Sequence, residues 1–215
     1  VAERFAAGGY RVAALARNAE RLAALAEQVP GIDPWVCDVS DADALADTCA
    51  RIAATVGAPR IVVHNAVGAG WGNFLDIDPA VLERNFSVNV MALLHLARHT
   101  VPAMIEAGGG AVIATGNTSA YRGKALFAGF APTKAAQRIL MESIAREAGP
   151  QGVHAAYVAI DAVIDLAWTR GRFPDRPDDF FCQPADIAEE VWRLAHQAKS
   201  AWAFESVIRP FGENW

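Results

Sequence analysis

Short runs that are apolar at nearly every position alternate along this chain with longer stretches in which apolar residues return every three or four positions. The first pattern predicts strands over residues 11–16, 33–37, 60–64, 110–115, 153–159 and 203–208. The second predicts helices over about 19–28, 42–56, 80–105, 127–148 and 185–197. Residues 1–7 read as the last turns of a helix, stopped by Gly8-Gly9. Ile61-Val62-Val63 and Ala111-Val112-Ile113-Ala114 are apolar on both strand faces, as parallel strands covered by helices on each side require. The pattern predicts one α/β domain on a doubly wound parallel sheet.

Two stretches break the rhythm, residues 68–79 after the third strand and 168–184 after the fifth. Both follow the carboxyl end of a strand, where open α/β sheets place their ligands. The second, with Arg170, Arg172, Arg176, Asp178 and Asp179, reads either as a lid or as a surface excursion. Trp71, Phe74, Trp168 and Phe173 supply apolar surface for a pocket under these segments or simply for the core.

Composition narrows the classes. At 215 residues, 53% hydrophobic and 20% charged, the chain is apolar enough for one large folded domain. Lys and Arg number 19 against 24 Asp and Glu, so no basic field exists to collect phosphates, and a nucleic-acid partner is not expected. Cys37, Cys49 and Cys182 are an odd set without a Cys-x-x-Cys pair or zinc-ligand spacing, which suggests reduced thiols, a cytoplasmic setting and no metal. Polar residues interrupt every apolar stretch before membrane-spanning length, and no leader pattern opens the chain, so neither membrane insertion nor export is expected.

Four landmarks stand in order on this framework: Cys37-Asp38-Val39, Val63-His64-Asn65-Ala66, Val88-Asn89-Val90 and the helix carrying Lys134. Their order and spacing resemble the short-chain dehydrogenase/reductase superfamily over nearly the whole chain. The ending, from Ser200-Ala201-Trp202 to Ile208-Arg209-Pro210-Phe211, is also similar to a subgroup with an irregular active site. The resemblance implies a Rossmann-like sheet, a nicotinamide dinucleotide on the strand ends, and hydride exchange with a small alcohol or carbonyl.

It also implies roles for single residues. Asp38 would accept from an adenine amino group with Val39 packed beside it; without the resemblance, Asp38 equally begins a turn near Ser40. Arg17 favours NADP over NAD, because a cation there binds a 2′-phosphate where an acid would bind the ribose hydroxyl; otherwise it is an exposed Arg at a strand-helix turn. Asn65 and Ala66 lie where the family's backbone approaches the dinucleotide, although Val67 stands in place of a Gly. Val163 falls near a backbone contact to the carboxamide. Asp165 replaces the usual Thr and calls for a cation, Arg170 or Arg172, to offset its charge against a phosphate.

The catalytic set departs from the family. Asn89, a mid-helix amide in apolar company, matches the residue that holds a helix distortion and a proton-relaying water; it otherwise has to be satisfied by backbone. Lys134 is present, but the residue four before it, where the family has its Tyr acid, is Phe130. Losing that donor lowers carbonyl reduction by roughly 10²–10⁴-fold unless another group supplies the proton. Asn117 stands thirteen residues before Phe130 in place of the polarising Ser, and its amide can donate to an oxygen. Tyr121 is the nearby phenol, a substitute donor or, as such residues more often are, a surface or pocket-wall aromatic.

On the family's layout, a first strand and its Gly-rich turn lie before Val1, and that strand is central in the sheet. The natural chain is therefore expected to continue upstream. Two function classes follow. One is a short-chain oxidoreductase using NADP(H), or NAD, with an altered catalytic set of Asn89, Asn117, Phe130 and Lys134. The other is a catalytically inactive protein of the same fold that binds a nucleotide or a partner, a reading favoured by Phe130, Asn117, Val67 and Asp165. Helices 80–105 and 127–148 are apolar around much of their circumference, which predicts a homodimer or homotetramer.

Overall fold

The computed structural model describes residues 1–212. Helix α1 (Ala2–Ala7) leads into β1 (Val12–Ala16), which is joined through α2 (Ala19–Gln28) to the parallel strand β2 (Ile32–Val36). Helix α3 (Ala42–Thr55) then leads to β3 (Ile61–His64), α4 (Pro79–Phe86), α5 (Ala92–Glu106), β4 (Gly110–Gly116), α6 (Ala131–Ala148) and β5 (Val153–Ile160). The short strands β6 (Val163–Ile164) and β7 (Phe181–Cys182) pair with each other around α7 (Ala167–Arg172). Helix α8 (Pro184–Ala195) and β8 (Glu205–Ile208) complete the described chain, and the main sheet is parallel in the order β3-β4-β5-β8.

Local chemistry sets the helix starts. The Asn18 side chain accepts from the Arg21 N–H, Asp41 accepts from Asp43 and Ala44, and Asp78 accepts from Ala80 with Pro79 in the first turn. The helix predicted over 127–148 begins only at Ala131, because Pro132 lacks an N–H and fits the first helical turn but not the interior. The helix predicted over 80–105 is one continuous run interrupted by a π-helical turn, Ser87–Met91.

Strand β5 is buried at every position and divides the core. Val153, Ala155, Tyr157 and Ala159 pack toward Leu93 and Met104 of α5 and Met141 of α6. Ala156, Val158 and Ile160 pack toward Phe5 of α1 and Ile187, Val191 and Leu194 of α8. Each such Val, Leu or Ile removed from water contributes about 1.5–3 kcal/mol. This two-sided burial is what the doubly apolar strand sequences call for.

The β1-β2 pair and the main sheet do not join. Among the described residues, β1 is hydrogen-bonded only to β2 and β3 only to β4, yet Val12, Ile61 and Val63 pack on the same core cluster. The irregular stretches are short excursions: Gly72 makes an isolated bridge to Phe127, and the second holds α7. No helix among the described residues is long and apolar enough to cross a membrane.

Candidate active site

Three of the four landmarks gather where β3 and β4 end and α6 begins, whereas Cys37-Asp38-Val39 follows β2. Asn89 lies in the π-turn and is fully buried. Its Oδ1 accepts from the Gly68 N–H at 2.8 Å, and its Nδ2 donates to the Gly68 carbonyl and to Thr133 Oγ1, both at 2.8 Å. The mid-helix amide is thus spent on tying the loop after β3 to the two helices. Only glycine fits this approach, since a Cβ on Gly68 would stand 2.7 Å from Asn85 Oδ1 and 3.0 Å from the Asn85 Cα.

Lys134, one turn into α6, is 3% exposed. Its Nζ donates to Gln137 Oε1 at 2.9 Å, and among the described residues no other protein acceptor meets it, so two of its N–H bonds are unspent. Gln137, fully buried, donates from Nε2 to Nδ1 of His64 at 3.1 Å. His64 Nε2 faces the Val88 carbonyl at 3.1 Å, and a carbonyl only accepts, so the imidazole proton is on Nε2 and Nδ1 is the acceptor. Burial, with the Lys134 charge nearby, pushes His64 down to about 4, and burial lowers Lys134 to about 8. At neutral pH the imidazole is neutral and the amine is a buried ammonium.

Phe130 caps α6 in the place of the expected phenol. It is buried under Trp71, with ring centres 5.0 Å apart, and Phe127 packs at 6.4 Å. The Lys134 Nζ lies 5.6 Å from the Phe130 ring centre. An apolar wall therefore stands beside the cation.

The substitute donors are engaged elsewhere. Asn117 Oδ1 accepts from the Ser119 N–H and hydroxyl at 2.9 and 2.7 Å, and its Nδ2 donates to the Ile160 carbonyl at 2.9 Å, leaving one amide N–H. Its principal work is to shape the turn after β4. Tyr121 is corrected outright as a substitute acid: its hydroxyl donates to Glu205 at 2.5 Å, and Arg138 grips the same carboxylate at 2.7 and 3.1 Å. Burial and Glu205 raise the Tyr121 phenol well above its ordinary value, which disfavours giving up its proton there.

The expected cofactor residues fall in three places. Arg17 is exposed at the end of β1, 3.9 Å from Asp38, whose other oxygen accepts from the Ser40 N–H and hydroxyl at 3.0 and 2.7 Å. These bonds, with Arg17 beyond them, hold the Asp38 carboxyl below the usual range. Val39 packs in the cluster of Cys37 and Leu45. At the end of β3, Asn65 is exposed and its Oδ1 accepts from Thr115 Oγ1 at 2.7 Å; Ala66 is half-buried and Val67 is 59% exposed. Beyond β5, Val163 pairs with Phe181. Asp165 takes Arg170 as its cation, bidentate at 2.6 and 2.7 Å, and Gln183 adds a bond at 3.0 Å, so its carboxyl is lowered to about 2. Arg172 instead lies over Phe173.

The functional cluster contains two residues whose chemistry the sequence had left unassigned. Gln137 follows Lys134 by three residues, hence on the same helix face, and His64 ends an otherwise apolar strand. A polar residue in each of two core-facing patterns was the available signal.

The short chain dehydrogenase family profile matches residues 1–165. An uncharacterized short-chain type dehydrogenase/reductase of Sinorhizobium fredii is 31% identical over 159 residues, 71% of this chain and 63% of that protein. The D-erythrulose reductase of Gallus gallus is 34% identical over 67% of this chain and 58% of that protein. The chain thus spans about three fifths of the length of these curated relatives, as the 63% and 58% coverages show. Among solved structures, a metagenomic short-chain oxidoreductase in complex with NADP superposes with a TM-score of 0.84 at 28% identity, covering 99% of this chain and 90% of that one.

Proposed function

The chain belongs to the short-chain dehydrogenase family, and on that premise we propose that it is an oxidoreductase that uses NADP(H), or NAD, to interconvert a small carbonyl and its alcohol with an altered proton-donating set. The observation that carries this reading is the buried Lys134 ammonium at the strand ends, with two N–H bonds that no described protein group accepts. A ribose hydroxyl pair fits such a donor, and the exposed Arg17 guanidinium suits a 2′-phosphate. Asp38 and Val39 would flank the adenine, and Asn65, Ala66 and Val163 would line the nicotinamide side. When bound, the dinucleotide gives or takes the hydride. Asn89 holds the Gly68 loop and α6 in register, Asn117 offers its remaining amide N–H to the substrate oxygen, and Phe130 excludes water beside Lys134. The Lys134 ammonium supplies the proton that the family's phenol would give, becoming a neutral amine that solvent reprotonates.

We also propose that this is one Rossmann-type domain of an atypical subgroup in which Phe replaces the catalytic Tyr. Its working polypeptide would supply a further strand between the open edges of β1 and β3, because buried backbone N–H and C=O groups need partners. The free cysteines suit a cytoplasmic setting.

A second reading, a nucleotide- or partner-binding protein without turnover, is favoured by the internal use of Asn117 and Tyr121 and by Val67 standing exposed in the loop. NADPH oxidation with a panel of carbonyls separates the two. The oxidoreductase predicts turnover above background, a gain of about 10–10²-fold in Phe130→Tyr, and loss in Lys134→Met. No gain from Phe130→Tyr in protein that binds cofactor supports the second reading.

A further inference from the structure

The buried chain from Lys134 through Gln137 to His64 ends on a backbone carbonyl and has a defined direction. Val88 can only accept, so His64 Nε2 donates to it, and His64 Nδ1 is left as an acceptor. That acceptor draws the Gln137 NH₂ toward itself, which turns Oε1 toward Lys134. Every link is nine-tenths or more buried: Lys134 is 3% exposed, Gln137 0% and His64 3%. The groups come from separate elements, with His64 on β3, Val88 in the π-turn, and Gln137 and Lys134 on α6.

We propose that Gln137 and His64 are positioning residues: His64 fixes the orientation of the Gln137 amide, and the amide oxygen holds the Lys134 side chain as an ammonium at the proton-donating position left by Phe130. This rests on the oxidoreductase reading for its purpose, but not for its geometry. An amide cannot pass a proton along, so the chain holds the charged group and does not relay to it. No carboxylate among the described residues is hydrogen-bonded or ion-paired to Lys134, and the nearest titratable group in the chain, His64, is neutral at pH 7. Among the described residues the Gln137 oxygen is therefore the one hydrogen-bond acceptor that offsets burial of the ammonium, beside the Phe130 ring 5.6 Å from Nζ, and removing it disfavours the charged form further. Reversing the sign of the environment at the same point favours it.

The chain has three lysines, Lys124, Lys134 and Lys199, so side-chain NMR of protein labelled with ¹³C-lysine resolves Lys134 directly, without cofactor or substrate. The wild-type protein is expected to titrate near 8 at Lys134. Gln137→Leu lowers that midpoint by about one pH unit, and Gln137→Glu raises it by about one or more. Circular dichroism and the unchanged Lys124 and Lys199 resonances report that each variant is folded, and Gln137→Glu carries the test if Gln137→Leu is not. An ordinary lysine midpoint in the wild type, or a midpoint that stays put in a folded variant, overturns the proposal. Tryptophan quenching by NADPH in the same samples tests the underlying reading separately. Shifted midpoints without cofactor binding leave the clamp standing and remove the oxidoreductase. Binding with unmoved midpoints does the reverse.

Discussion

Lys134 shows how much one residue's surroundings change what its letter implies. The sequence identifies it by its place on a helix after Phe130, but burial to 3% and the Gln137 contact are products of packing that no spacing reveals. The same holds for Asn117 and Tyr121, whose side chains can donate in principle but are claimed by Ile160 and Glu205 from strands remote in the chain. Burial lowers Lys134 from 10.5 to about 8. Between those values the unfolded chain still holds a proton that the folded chain has released, so this residue makes stability rise with pH across that window. Relative to Lys134→Met, wild-type protein is expected to gain on the order of 3 kcal/mol at most between pH 8 and 10.5, read from denaturant melts at each pH. A gap that is flat with pH contradicts a buried ammonium.

At the scale of elements, the alternating pattern located every long strand and helix, with ends shifted by a few residues where caps and Pro132 set the boundary. The π-turn at Ser87–Met91 was legible only through the family resemblance, which implies a helix distortion at Asn89, and not from the helical period. That turn depends on tertiary partners, the Gly68 backbone and Thr133, which the helical period does not encode. Asn89→Ala leaves those buried groups unpaired and is expected to destabilise the fold by about 2–3 kcal/mol. Hydrogen exchange should show the Gly68 amide losing its protection first. Protection that survives the substitution would mean that the loop is held by other contacts.

For the whole molecule, the sheet divides into the pair β1-β2 and the set β3-β4-β5-β8, and the candidate cofactor residues divide with it. Arg17 and Asp38 follow the first, whereas Asn65 and Ala66 follow the second. The order of landmarks made the fold class readable, because doubly apolar strands allow few other architectures. The substrate was not readable, since exposed side chains such as Trp71, Phe74 and Trp168 carry no periodic signal. For the proposed assembly through the long helices into a homodimer or homotetramer, Ile139 on α6 and Met91 in the π-turn, 56% and 43% exposed, are the candidate contacts. Light scattering at micromolar protein is expected to give two or four times the chain mass, and a monomer contradicts that assembly.

The claim that this fold holds a nicotinamide dinucleotide over Lys134 is tested most directly by titrating NADPH and NADH into residues 1–215 and into the natural polypeptide that carries them, following quenching of the six tryptophans. The account predicts saturable binding by the natural polypeptide, tighter for NADPH and weakened in Lys134→Met. Folded protein in which neither cofactor quenches either form would contradict it, leaving a short-chain dehydrogenase fold without its dinucleotide.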